Sequence, residues 1–227
     1  MTHLDIELKH LSTEKVEMFD LVISQLKKTK IALLDFEKDL AREVNFNEKR
    51  VNALELKIDK DCENIFALFN PLAIDLRFVL AVLKINSNLE RIGDIADGIS
   101  RYVVETPAPF DPELLKVTRI EEMYSMAIEM LADVQKAFEH ESSAVARGVF
   151  KKDDLLDELN NAANSVVEEF IKKHPDKISQ ALHIISTIRK LERTGDQTKN
   201  IAEEIIFYIE AKVLKHGSGN ASDDHLI

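Results

Sequence analysis

Leu89-Glu-Arg-Ile-Gly-Asp94 recurs 102 positions later as Leu191-Glu-Arg-Thr-Gly-Asp196, with five of six positions identical. Self-similarity over that distance means a repeated structural unit of about 100 residues. The flanking punctuation repeats too. Asn70-Pro71 precedes the first copy and His174-Pro175 the second. A residue before proline disfavours the α region, so each pair ends a helix and marks a turn. Between the copies, Glu105-Thr-Pro-Ala-Pro-Phe-Asp-Pro112 holds three of the five prolines and reads as a linker.

The rest of the chain reads as helix. Residues 4–46 carry Leu11, Phe19, Val22, Leu26, Leu33, Phe36 and Leu40 at helical spacings, one apolar stripe on a long helix. Asn45-Phe-Asn47 supplies a break and a new N-cap. Helices are then predicted over 48–69, 72–104, 113–147, 152–173 and 176–215. The predicted fold is all-α: two tandem similar three-helix bundles, six long antiparallel helices. The first bundle spans 1–104, the linker 105–112 and the second bundle 113–215. The Gly-, Ser- and Asp-rich tail 216–227 is expected to be disordered.

Composition agrees. Six glycines and five prolines among 227 residues are too few for the turns of a β-rich fold. Hydrophobic residues at 45% and charged ones at 31% are ordinary for a globular chain. Thirty basic against 41 acidic side chains give a net charge of -11, which argues against nucleic acid as a partner. Cys62 is the only cysteine, so intramolecular disulfides and Cys-rich zinc sites are excluded. Residues 1–7 lack the basic and apolar regions of a signal peptide. The apolar run Phe78–Leu83 is far short of the roughly 20 residues that span a bilayer. A cytoplasmic location is expected.

The repeated segment carries the chemistry. Glu90 and Asp94 stand at i and i+4 and share a helix face, as do Glu192 and Asp196. Like charges at this spacing repel, and Gly93 and Gly195 each cost about 1 kcal/mol mid-helix. A close neighbour or ligand would explain both. Mirroring each hairpin about its proline turn places Glu48 and Asn52 opposite the first pair, and Asp153 and Asp157 opposite the second. Glu55 and Asp59 match the spacing better but fall about 9–12 Å short at 1.5 Å per residue, and read as a decoy. Four oxygen-bearing side chains between two helices suit magnesium, calcium, manganese or iron rather than structural zinc. The first set has three carboxylates and Asn52. The second has four carboxylates and, on charge count alone, should bind more tightly. The competing reading is a carboxylate cluster paired with arginines and lysines, Arg91 and Arg193 among them.

The stretch Pro71-Leu-Ala-Ile-Asp-Leu-Arg77, both acidic motifs, and Asn200-Ile-Ala-Glu203 resemble the PhoU family of phosphate-signalling proteins. The resemblance runs from about residue 5 to about residue 212. It implies two similar three-helix bundles side by side. It also implies metal clusters (iron, manganese, magnesium, calcium or zinc) on Glu48, Asn52, Glu90 and Asp94, and on Asp153, Asp157, Glu192 and Asp196. Asn52 departs from a carboxylate of some members, and Gly98 from an asparagine that Asn200 keeps. Asp97 is a further ligand candidate. The resemblance implies a negative regulator coupling the ATPase subunit of a phosphate ABC importer to a sensor histidine kinase. Association with that membrane complex would be peripheral, and no enzymatic reaction follows. A homodimer is expected.

Two other readings remain open. A carboxylate-bridged oxidase or storage protein needs Glu-x-x-His on two helices, and only Glu7-Leu-Lys-His10 is present. The other is a metal-free helical scaffold. Among smaller features, Arg77 reads as an ion-pairing residue, His183 as a hydrogen-bonded interior histidine, and Cys62, Phe66, Phe69 and Phe78 as core.

Overall fold

A computed structural model describes residues 2–214; the tail 216–227 lies outside the described residues. The first bundle is α1 (His3–Leu34), α2 (Lys38–Phe69) and α3 (Ala73–Glu105). The second comprises α4 (Pro112–Val117), α5 (Ile120–Glu139), α6 (Ser143–Gly148), α7 (Phe150–Lys173), a 3₁₀ turn (Pro175–Lys177) and α8 (Ile178–Glu210). Within each bundle the three long helices pack on one another, and α3 on α8 and α1 on α5 join the bundles side by side. No strand is present among the described residues.

The first chain reversal differs from the sequence expectation. α1 opens with a capping box, the Asp5 amide donating to Thr2 Oγ1 (3.1 Å) and the Thr2 amide to Asp5 Oδ2 (2.6 Å). It ends at Leu34, not at residue 46. The Asp35 amide donates back to Ile31 and the Glu37 amide to Ala32, while Phe36 turns the chain at φ 57°. Periodicity cannot register this turn, because Leu33, Phe36 and Leu40 keep helical spacing across it and face the same core. α2 is consequently 32 residues long and matches the 33 of α3. Asn45 therefore lies within α2 and caps nothing.

The helix predicted over 113–147 is broken twice, at Arg119 (φ 52°) and Glu141 (φ 48°). Asp111 caps α4, accepting from the amides of Glu113 and Leu114, with Pro112 at the first helical position. α8 stops at Glu210, where Ala211 takes φ 57°, short of the predicted residue 215. The proline-rich stretch is pinned, since Gln180 donates to the Pro109 carbonyl and accepts from the Asp111 amide, both at 2.9 Å.

A single apolar cluster runs through both bundles. Phe78 stacks on Phe138 at 5.9 Å and meets Tyr208 edge-on at 5.6 Å, so it joins the bundles rather than filling the first one. Arg77 donates to the Tyr208 carbonyl (3.4 Å) and Lys84 to Glu204 (3.0 Å) across the same seam. Cys62 is buried, and burial pushes its thiol up to about 12, consistent with packing. His183 is half-buried against the Tyr102 ring at 4.9 Å, not interior.

Candidate metal centre

The mid-helix glycines set how closely each hairpin closes. A Cβ on Gly93 would stand 2.9 Å from Val51 Cγ1 and 3.4 Å from Glu48 Oε2. Glycine thus lets α2 approach α3 with Glu48 turned into the space beside it. Glu48 is 8% exposed, and both its carboxylate oxygens are buried without a hydrogen-bond donor. Burial, then the charges of Asp94, Asp97 and Glu90, push its pKa up to about 7. Asp94, exposed on α3, lies within reach of the Glu48 carboxyl. Glu90 is also raised, by burial and then by Asp94 and Glu55.

Glu55 and Asp59 lie at the level of Asn86, whose Nδ2 donates to the Glu55 carbonyl and to Asp59 Oδ1, about one turn before Glu90. The Glu55 charge still reaches Glu90 and Asp94 from there, and Asn52, like Asp94, is exposed. The turn is residues 70–72 with Pro71 at its centre, and the mirror register accordingly puts Glu48 beside Gly93 and Asp94. Asp97 adds a buried carboxylate. Its Oδ1 accepts from Asn45 Nδ2 (2.7 Å) and its Oδ2 from Arg101 (2.8 Å). The asparagine expected to cap a helix instead orients a carboxylate.

The second hairpin repeats the close approach. A Cβ on Gly195 would lie 2.7 Å from both Asp153 Oδ1 and Leu156 Cδ1. Asp153 is buried, and its Oδ1 has no hydrogen-bond partner. Its Oδ2, however, takes the Lys199 ammonium, which also lies 3.5 Å from Asp196 Oδ1. Burial raises the Asp153 acid while Lys199 lowers it, with a net rise. Glu192 is raised by burial, then by Asp196 and Asp157. Arg91 and Arg193 are exposed; each pulls its neighbouring glutamate down, against the larger effect of burial. Lys199 was not legible as a site residue, although it stands at the repeat position of Asp97.

Another lysine lies deeper. Lys15 is fully buried in the apolar stripe of α1 and donates to Asn86 Oδ1 (2.5 Å), while Asn86 Nδ2 donates to Asp59 Oδ1 (2.7 Å) and the Glu55 carbonyl (2.9 Å). Burial lowers its pKa to about 7 against the pull of Cys62, Asp59, Glu55 and Glu14. The signal was available: Lys15 interrupts an apolar face four residues after Leu11 and four before Phe19. Among the described residues, the group offering three ligand atoms within 4.8 Å of one another is His10, Glu14 and Asp61. Lys57 already pairs with Glu14 there. The two predicted sets are more open than that.

The donor chemistry of the first set nonetheless fits a hard cation: all oxygen, with one buried carboxylate lacking any donor and a glycine leaving room beside it. The second set offers the same donors with an ammonium among them.

Fold and site define a class: an all-α protein of two like bundles, each with a carboxylate cluster between its last two long helices. The PhoU domain matches residues 16–103 and again residues 120–205. The phosphate-specific transport system accessory protein PhoU of Escherichia coli K12 is 31% identical, over 96% of this chain and 89% of that protein. A PhoU homolog from Burkholderia is 31% identical over 95% and 92%. The crystal structure of PhoU from Pseudomonas aeruginosa superposes with a TM-score of 0.84 at 28% identity, covering 92% of this chain and all of that one. The phosphate transport system regulatory protein PhoU from Streptococcus pneumoniae gives 0.81 at 26%, covering 94% and all of that chain. The chain belongs to the PhoU family.

Proposed function

We propose that this protein is a regulatory accessory of a phosphate-specific transport system. It would damp uptake and the phosphate-starvation response by coupling the importer's ATPase subunit to a sensor histidine kinase. The match of both repeats to the PhoU domain carries this reading. Relatives described as accessory proteins of that transport system support it. No described helix is long and apolar enough to cross a membrane, consistent with peripheral association from the cytoplasm. A homodimer belongs to the same reading, and no reaction is assigned.

Metal binding is part of the proposal. Glu48, Glu90, Asp94 and Asp97 would hold a hard cation in the first bundle, whether iron, manganese, magnesium, calcium or zinc. The cation would supply positive charge between α2 and α3. Glu48 provides the buried end of the site, and Asn45 and Arg101 hold Asp97 at its rim. The di-metal oxidase alternative has no support in this geometry, since His10 faces Glu14 on α1 rather than either carboxylate set.

The role is tested by deleting the gene and reading a phosphate-starvation reporter in high phosphate. Raised expression, restored by the wild-type chain, is expected; unchanged expression would rule out negative regulation. Co-purification with the ATPase subunit and the kinase tests the partners.

A further inference from the structure

The repeat gives an internal control. Gly93 and Gly195 are equivalent, and Glu48 and Asp153 are the buried carboxylates that pack against them. Three residues past Asp94 stands Asp97; three past Asp196 stands Lys199. One position therefore carries opposite charge in the two halves.

The consequences differ at the buried carboxylate. In the first half both Glu48 oxygens lack a donor. Arg101 is the cation bonded there, and it reaches Asp97 from the solvent side, its side chain 67% exposed. Lys15 is held away on Asn86, beneath the set. In the second half the Lys199 ammonium touches Asp153 on α7 and Asp196 on α8. It thereby bridges the two helices that a metal would bridge. An ammonium is a compact point charge on a flexible stem, suited to that position.

We propose that Lys199 is a built-in cation that closes the second carboxylate cluster to hard metal ions, leaving the first cluster as the metal-loading half of the molecule. This rests on the reading that carboxylate clusters of this fold take hard cations. A tethered competitor acts at an effective concentration of roughly millimolar, so an incoming ion must displace it as well as bind. The order expected from counting carboxylates is thereby reversed. The cluster with four predicted carboxylates is neutralised from within, and the cluster containing Asn52 gains Asp97.

The test counts Mn²⁺ bound to the full-length protein by electron paramagnetic resonance and equilibrium dialysis. Wild-type protein should hold Mn²⁺ that Glu48→Gln with Asp94→Asn removes and Asp153→Asn with Asp196→Asn leaves in place. Lys199→Gln should add a second class of site, with at least 10-fold tighter Mn²⁺ binding at the second cluster, and keep it when the first is disabled. The converse Asp97→Lys should expel Mn²⁺ from the first cluster, which covers a Lys199 variant that fails to fold. Wild-type Mn²⁺ lost through the second-cluster variant overturns this inference and leaves the metal reading intact, as does a Lys199→Gln protein that gains nothing. Mn²⁺ bound only after Lys199→Gln supports closure of the second cluster by Lys199 and overturns the assignment of the first as the metal-loading half. No Mn²⁺ in any variant overturns both.

Discussion

The two bundles share a plan and differ in where each keeps its positive charge. In the first, Lys15 comes from α1 and is spent below the carboxylates on Asn86, so Glu48 faces Asp94 with no donor. In the second, Lys199 comes from the same helix as two of the carboxylates and bonds the buried Asp153. Duplication preserved the backbone approach at Gly93 and Gly195 but not the charge balance around it. A repeated motif therefore specifies a repeated hairpin without specifying a repeated site.

The largest expected effect falls on metal affinity. Glu48→Gln with Asp94→Asn should weaken Mn²⁺ binding by roughly 100-fold or more, since loss even of an outer partner costs 10–100-fold. Retained affinity would remove the distinction between the two halves.

The glycines come next. Gly195→Ala places a Cβ 2.7 Å from Asp153 and Leu156, and Gly93→Ala places one 2.9 Å from Val51. Overpacking costs about 1–3 kcal/mol, and alanine's helix preference returns about 1 kcal/mol. Urea unfolding should show a net loss of about 1–2 kcal/mol at Gly195 and less at Gly93. The opposite order would mean that the second hairpin is the looser one.

A pH comparison separates the buried acids. The Glu48 pKa rises from 4.5 to about 7 on folding. A raised acid retains its proton in the folded state, so its favourable contribution is present below about 4.5 and is lost as pH rises toward 7. Metal-free Glu48→Gln should therefore match wild type at low pH and melt higher above pH 7. A gain of about 2–4 °C corresponds to 1 kcal/mol in a chain of this size. Asp153→Asn should gain less, because Lys199 already offsets the burial of Asp153. Equal gains in thermal melts would show that Lys199 does not neutralise its cluster.

The smallest effect is expected from Arg101→Ala. Its i,i+4 pair with Asp97 is largely solvated on the arginine side, and such pairs contribute about 0.3–0.5 kcal/mol. A stability loss above about 1 kcal/mol would make Arg101 the first bundle's counterpart of Lys199.

Much of the fold was legible because proline is unambiguous. Pro71 and Pro175 end helices whatever surrounds them, and the two acidic motifs lie at similar distances beyond. The break at 35–37 was hidden because Phe36 adopts a left-handed conformation that its residue type disfavours, while its neighbours keep the apolar rhythm. The level of Glu48 was legible because Pro71 sits at the centre of its turn, between Phe69 and Ala73. Lys15 and Lys199 were passed over because a lysine at helical spacing is ordinarily a solvated one.

The sequence by itself determined the duplication, the antiparallel hairpins and the oxygen-only character of the two donor sets. Those properties follow from local rules: proline geometry, 3.6-residue periodicity and side-chain chemistry. The tertiary structure decided which carboxylate in each set is buried, and which of them meets a lysine. Periodicity places a residue on one face of its own helix, but burial depends on how far that helix rotates and how closely its neighbour approaches. Lysine's four-carbon stem then allows one sequence position to face either water or a cluster, and only the packed neighbours choose between them.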